Sequence, residues 1–298
     1  MNQMSPSHTQ PSDNRIAAPL GFTVPQDEKP VFHSSALTGG APKIFFQVEE
    51  IAVDLQDMRP LADSLDLDRE GFTLERVDTA VDDLYDDEAV TSTYYAEITD
   101  LVKRATGADR VAIFDHTLRS DGGTGAANKD GARGPASRVH VDYTEASGPK
   151  RGDDALGDGE VARILAAGGR VIQVNVWRPI TGPVKRAPLA LADATSIATD
   201  ALLATDQVFP DRVGEIYQLA HQAGQRWYWA PEMERDEVLL IKGWDTKDGV
   251  SKYTPHGAFQ IPNQDPAAPP RESIEVRTFA VIDGPRATAL GAAGRPAT

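Results

Sequence analysis

The sequence predicts an α+β domain dominated by antiparallel β-structure, a double-sheet jelly-roll (cupin-like) barrel with N-terminal helices packed outside. Two observations predict it. Residues 85–106 carry apolar side chains at helical spacing, and they come early in the chain. A long series of short strand-like segments with short loops follows. Two packed sheets of a jelly roll accommodate that order well, and no internal repeat argues for a solenoid or propeller.

In chain order, residues 43–48 read as the first strand. In 85–106 the helical stripe is Val90, Tyr94, Tyr95, Ile98, Leu101 and Val102, and Gly107 supplies a C-cap because glycine enters the left-handed region at little cost. Residues 110–115 follow as a strand. The glycine-rich stretch 120–135 breaks regular structure. Residues 138–143 alternate and read as a strand, 159–167 as a short helix, and 170–177 as the strongest strand of the chain. Further strands are expected over 189–193, 215–219, 226–229, 237–244, 255–259 and 273–282.

The boundaries come from composition. Residues 1–40 are polar and rich in Pro, Ser and Asn in their first thirty positions, which predicts a mobile arm; 284–298 read as a flexible tail, leaving a single domain over 41–283. The first residues lack the basic-then-apolar layout of a signal peptide, and no apolar run approaches the roughly 18 residues of a membrane span, so a cytoplasmic protein without a membrane partner is expected. A formal net charge of −15 argues against nucleic acid as a partner. The absence of cysteine excludes disulfides, thiolate metal sites and a cysteine nucleophile, so any metal must be held by His, Asp or Glu. Oligomeric state is open, with a homodimer among the options.

One constellation carries chemistry. His140-Val141-Asp142 places an imidazole and a carboxylate on the same face of a strand, since side chains repeat every second residue. A second histidine from a distant strand, His256, completes a two-histidine, one-carboxylate face of the kind that holds Fe(II) with positions left open for co-substrate and oxygen. Fifteen residues past His256, Arg271 and Ser273 again share a strand face. A planar guanidinium grips a carboxylate in two places and a hydroxyl adds a further bond, which is what the far carboxylate of 2-oxoglutarate requires. Arg277, on the same face at even spacing, competes for that role; the neighbouring serine favours Arg271. Any one of these features alone is weak, but H-x-D, distal His and R-x-S in this order are much less expected by chance.

The chain also resembles a family of bacterial and fungal secondary-metabolite oxygenases that includes the cephamycin 7-alpha-methoxylation component, fungal gibberellin desaturase and the hydroxylase/desaturase of aspergillic acid pathways. The resembling stretches are GFTLERVDTAVDDLYDDEAVTSTYYAEITDLVKRATGADRVAIFDHTLR, RVHVDYTEASGP, GRVIQVNVWRPITGPVKRAPLALADATSI, YTPHGAFQIPN and PRESIEVR. The resemblance implies an Fe(II)/2-oxoglutarate oxygenase on a double-stranded β-helix, with His140, Asp142 and His256 as metal ligands and O2 as co-substrate. It names no substrate, because such enzymes act on unrelated scaffolds; a small-molecule secondary metabolite, hydroxylated or desaturated, is the expectation.

Secondary candidates surround this set. Asn175, polar amid Val, Ile and Trp, is a candidate to bond 2-oxoglutarate or a metal-bound water, against the plainer reading of a satisfied core amide. Tyr143, Trp177, Arg119 and Trp229 are candidates to line the substrate pocket, although Trp177 and Trp229 are more often plain core. His116 and His221 read as structural and solvated. Residues 121–134 lack the Gly-Lys-Ser/Thr of a phosphate loop and read as a lid or a plain loop. The acidic composition and the aromatics point to a neutral or cationic, partly apolar substrate. A non-haem iron oxidase that dispenses with 2-oxoglutarate, and a non-catalytic small-molecule-binding barrel, are the competing readings.

Overall fold

The computed structural model describes residues 15–40, 42–129 and 131–285. Their strands are β1 (Arg15–Thr23), β2 (Val31–His33), β3 (Lys43–Ile44), β4 (Val48–Asp57), β5 (Phe72–Arg76), β6 (Arg110–Ser120), β7 (His140–Val141), β8 (Arg170–Pro179), β9 (Leu189–Ala192), β10 (Leu202–Val208), β11 (Val213–Leu219), β12 (Trp227–Trp229), β13 (Glu237–Asp245), β14 (His256–Ala258) and β15 (Glu272–Ile282). The larger sheet has the order β1-β4-β12-β9-β14-β7-β11-β10-β2-β3 and the smaller β5-β13-β8-β15-β6. Every pairing in the smaller sheet is antiparallel, whereas the larger is mixed, with parallel pairs β10–β2 and β12–β4.

Strand periodicity divides the smaller sheet into two unlike faces. Val174 and Val176 of β8, Val238 and Leu240 of β13, and Ile274 and Val276 of β15 join one apolar cluster with Ile98, Leu101 and Val102. Those three residues are the buried side of the helix Tyr95–Thr106, and burying a side chain of that size stabilises by roughly 1.5–3 kcal/mol. The helix ends where Gly107 turns left-handed at φ 71° and donates its N–H to Lys103 O. The alternate residues Gln173, Asn175, Ser273, Glu275 and Arg277 are buried on the other face, and Trp177 there joins Leu189, Leu191, Leu239 and Ile241 in a cluster between the sheets. That polar row is the wall of the site.

The structure departs from the sequence expectations in several places. Five strands precede the helix, so the chain does not begin with helices. Residues 15–23, assigned to the mobile arm of 1–40, pair along their whole length with β4, and 31–33 pair with β10. Pro19 and Gly21 obscured β1, but it occupies the end of the sheet order, where a proline costs no ladder bond. Residues 1–14 of the arm and 286–298, nearly all of the tail, lie outside the described residues. The strand expected over 43–48 breaks after Ile44, and that over 138–143 shrinks to His140–Val141. A helix at Ser147–Leu156 was not expected, because Gly148, Pro149 and Gly152 argue against one. Packing explains it: a Cβ on Gly148 would sit 2.4 Å from Trp244 Nε1, and one on Gly152 2.7 Å from Val161, so only glycine lets this helix lie so close.

Candidate metal centre and co-substrate pocket

β7 and β14 are adjacent in the larger sheet, and His140 and His256 are register partners across them. Directly paired residues project to one face, and the two imidazole centroids are 4.6 Å apart. Asp142 follows just beyond β7, with its Oδ1 3.7 Å from His140 Nε2. One ligand atom from each of the three lies within 4.8 Å of the others.

The remaining valences of all three side chains are occupied. His140 Nδ1 is 2.8 Å from Arg138 O and His256 Nδ1 3.0 Å from Thr254 O. A carbonyl only accepts, so each Nδ1 carries the proton and each Nε2 keeps its lone pair. Thr254 is itself fixed: its N–H donates to Lys242 O, and its hydroxyl donates to Gly71 O at 2.8 Å. On the carboxylate, Asn175 Nδ2 donates to Asp142 Oδ2 at 2.6 Å, and Gln173 Nε2 donates to Asn175 Oδ1 at 2.6 Å, which sets the amide's orientation. Arg277 Nε lies 3.8 Å from the same Oδ2. The free oxygen of Asp142 is therefore the one beside His140.

Electrostatics agree with this assignment. Burial, reinforced by neighbouring His256, pushes the His140 imidazole down to about 3. Burial would raise the Asp142 carboxyl, but the Arg277 guanidinium, the two imidazoles and the Asn175 hydrogen bond together outweigh it and hold the group well below the usual carboxylate range. An imidazole kept neutral beside a carboxylate kept charged is the donor set a divalent cation needs.

Arg271, just ahead of β15, and Arg277 within it differ in what they lack. Arg277 donates to Asp115 at 3.0 Å, Thr117 Oγ1 at 2.8 Å and Glu275 at 2.5 Å. Arg271 is only 2% exposed and donates Nη1 to Ala187 O at 2.8 Å, while its Nε and Nη2 are buried without a partner among the described residues. Burial and neighbouring Arg119 push its pKa down to about 9. A buried guanidinium with two idle donors is a cradle for a planar anion. Ser273, also buried, shares that face of β15. The backbone N–H of Arg271 donates to Asp121 Oδ1 at 2.5 Å, and Arg186 Nε to Asp121 Oδ2 at 2.9 Å, so the first residue of the glycine-rich stretch anchors the cradle. Asn128 ties the same stretch to the backbone of Leu118, at 2.8 and 2.9 Å.

Of the other sequence candidates, Trp177 lies under Arg271, with its ring centroid 5.6 Å from the guanidinium carbon. Arg119 is the cross-strand partner of Ser273 and donates to Gly134 O at 3.0 Å, which places it beside the cradle. Tyr143 is buried against Phe279 in a cluster with Trp244. Trp229, a candidate for the pocket wall, is placed elsewhere: it packs on Phe259 and belongs to the cluster that takes Ala190 and Ala192 from β9. His256 pairs with Leu191, which faces the opposite way from those alanines, so Trp229 is turned away from the histidines. His116 accepts or donates to Tyr95 OH at 2.9 Å under the helix, as a structural histidine. Sequence reasoning missed Gln173, Thr254 and Asp121. Gln173, two residues before Asn175 on the same strand face, was the one with a readable signal.

Fold and donor set together define a jelly-roll oxygenase with a mononuclear two-histidine, one-carboxylate centre. The family described as an oxidoreductase/YMDC permease-like domain matches residues 20–281. Among the described residues no helix is long and apolar enough to cross a membrane. The chain is 34% identical over 235 residues to the Fe(II)/2-oxoglutarate-dependent dioxygenase nvfI of Aspergillus novofumigatus, covering 76% of this chain and 81% of that protein. It is 30% identical over 262 residues to the hydroxylase/desaturase efuI of Hormonema carpetanum, covering 80% and 86%. A solved structure of the iron and alpha-ketoglutarate-dependent endoperoxidase NvfI superposes with a TM-score of 0.80 at 30% identity, over 91% of this chain and all of that one. The chain belongs to the Fe(II)/2-oxoglutarate-dependent dioxygenases of secondary metabolism and is an oxidoreductase.

Proposed function

We propose that this enzyme hydroxylates or desaturates a small-molecule secondary metabolite, with Fe(II) held by His140, Asp142 and His256 and the distal carboxylate of 2-oxoglutarate held by Arg271 and Ser273. The observation that carries the reading is that each of the three ligands has one donor atom free, all three converge, and every other valence is engaged. Fe(II) with 2-oxoglutarate and O2 supplies the oxidising power to break an unactivated C–H bond, with 2-oxoglutarate leaving as succinate and carbon dioxide.

The chain's own residues set the stage. Thr254 and Arg138, through their carbonyls, fix the tautomer and aim of the two imidazoles. Asn175 and Arg277 face one carboxylate oxygen, so Asp142 would hold the ion with the other; Arg277 and Asn175 thus act on Asp142 rather than on 2-oxoglutarate. Arg271, pressed against Trp177 and tied to Ala187 O, presents Nε and Nη2 to the co-substrate. An oxidase that dispenses with 2-oxoglutarate would leave those two donors buried and idle, at about 1–3 kcal/mol for an unsatisfied group. Asp142 fills the carboxylate position, which leaves no vacancy for a halide and disfavours halogenation.

The test is an anaerobic titration with Fe(II) and then 2-oxoglutarate, following the weak visible charge-transfer band of the chelate. The band is expected in the unaltered enzyme and is lost in His256→Ala. Tight iron binding without the band would favour the oxidase that does not use 2-oxoglutarate, and absence of iron binding would favour a non-catalytic binding barrel.

A further inference from the structure

The face of the larger sheet that carries His140 continues beyond the metal centre toward β10, β2 and β3. His140 pairs with Gln218 and Gln218 with Leu203, so these share a face. Two and four residues along β10, the same face carries Thr205 opposite Ile216, and then Gln207 beside Phe32 and Ile44. Arg138, two residues before His140, reaches over this face: its guanidinium carbon is 5.0 Å from the ring centroid of Phe32 and 5.9 Å from that of Phe46. Both rings are buried.

Arg138 is half-buried and has no counter-charge among the described residues. Its Nε is buried without a hydrogen-bond partner, and no carboxylate among the described residues stands close enough to act on it. The chain has 45 aspartates and glutamates, so an arginine beside the reaction centre that none of the described ones meets is conspicuous. Two phenyl rings hold the cation by their faces and fix its aim without neutralising it. The planar fork of a guanidinium is matched by a carboxylate.

We propose that Arg138 is the substrate anchor, and that the substrate class is an apolar small molecule carrying a carboxylate, laid over Phe32 and Phe46 with its reacting carbon toward the His140–Asp142–His256 centre. Positions two apart on a strand are separated by roughly 6.6 Å, so a molecule of a few carbons spans from Arg138 to the metal side of His140. The acidic composition, which points to a neutral or cationic substrate, is overruled locally by this one unpaired cation. The proposal rests on the function given above.

The test uses the full chain loaded with Fe(II) and 2-oxoglutarate under anaerobic conditions, with binding of both recorded first. Two near-isosteric probes, 4-phenylbutyrate and 4-phenylbutyramide, are then titrated by calorimetry. The acid is expected to bind about tenfold or more tighter than the amide, and Arg138→Met is expected to erase that preference in preparations first shown to bind Fe(II) and 2-oxoglutarate. Equal binding of the two probes to the unaltered enzyme, binding of neither, or displacement of 2-oxoglutarate by the acid would overturn the proposal without reference to how the variant folds. A preference that survives in Arg138→Met would overturn it as well. Failure to bind Fe(II) and 2-oxoglutarate at the outset would instead bring down the function on which it rests, and the anchor with it.

Discussion

His140 and His256 face each other in register across β7 and β14, and each donates its Nδ1–H to the carbonyl two residues upstream in the chain. The metal site is therefore preset in the backbone of two very short strands, and cation binding should stabilise the fold measurably. A ligand at a hundred times its dissociation constant adds about 2.7 kcal/mol. Thermal melts with and without Fe(II) under anaerobic conditions should show that gain in the unaltered enzyme and none in His140→Ala or His256→Ala.

Asn175→Ala is expected to weaken iron binding about ten- to a hundredfold, the usual cost of losing a group that orients a ligand. Arg277→Met should do the same, because Arg277 keeps Asp142 charged. The affinity of the remaining iron-loaded enzyme for 2-oxoglutarate should change little. A large rise in the 2-oxoglutarate KM with iron affinity intact would instead return Arg277 to the co-substrate.

Arg271→Met should produce the opposite split. Removing a charge-assisted hydrogen-bonding group costs about 1.5–3 kcal/mol, so the dissociation constant for 2-oxoglutarate should rise roughly ten- to a hundredfold, while Fe(II) binding measured without co-substrate is unchanged. Arg271→Lys should recover only part of the loss, because an ammonium lacks the planar fork.

Gly71 tests the brace behind His256. It adopts φ +88°, and a Cβ there would lie 2.2 Å from Thr254 Oγ1. Gly71→Ala should cost on the order of 1–3 kcal/mol in stability and, by shifting the Thr254 carbonyl, loosen iron binding. Denaturant titration and an iron-binding isotherm on the same preparation separate the two effects.

Asp68 governs an acid-sensitive cluster at the same end of the barrel. It pairs with Arg170 at 2.5 Å and with Lys242 at 2.7 Å, and both also pair with Asp245. Burial would raise the Asp68 carboxyl, but these two cations hold it well below the usual range. A depressed pKa contributes stability that is complete above the unfolded value of about 3.9 and is lost as pH falls toward the folded one. Melting temperatures should therefore show Asp68→Asn clearly below the unaltered enzyme near neutral pH, with the gap closing below about pH 4.

The convergent His140, Asp142 and His256 group was legible because its chemistry is carried by spacing: H-x-D on an extended segment and a distal histidine. The strongest strand, 170–177, was equally plain, since β8 alternates a polar row with a valine row. What escaped had other causes. The helix Ser147–Leu156 is written in glycines that serve contact with Trp244 rather than helix propensity. The choice between Arg271 and Arg277 turns on which donors are already spent, and that depends on Asp115, Thr117 and Glu275 arriving from a neighbouring strand and from β15 itself. Trp229 was misplaced because a strand of three residues with three aromatics, Trp227–Trp229, hides which face is which.

The bridge between Gly21 and Arg138, with Val139 N–H donating to Gly21 O at 2.9 Å, ties the first strand to the backbone just ahead of His140. Trimming the chain to begin at residue 41, as its composition invites, would strip one wall from the segment that aims the first imidazole. Such a shortened protein is expected to fold its smaller sheet and still handle iron poorly, so β1, far from the ligands in sequence, is part of the scaffold that aims them.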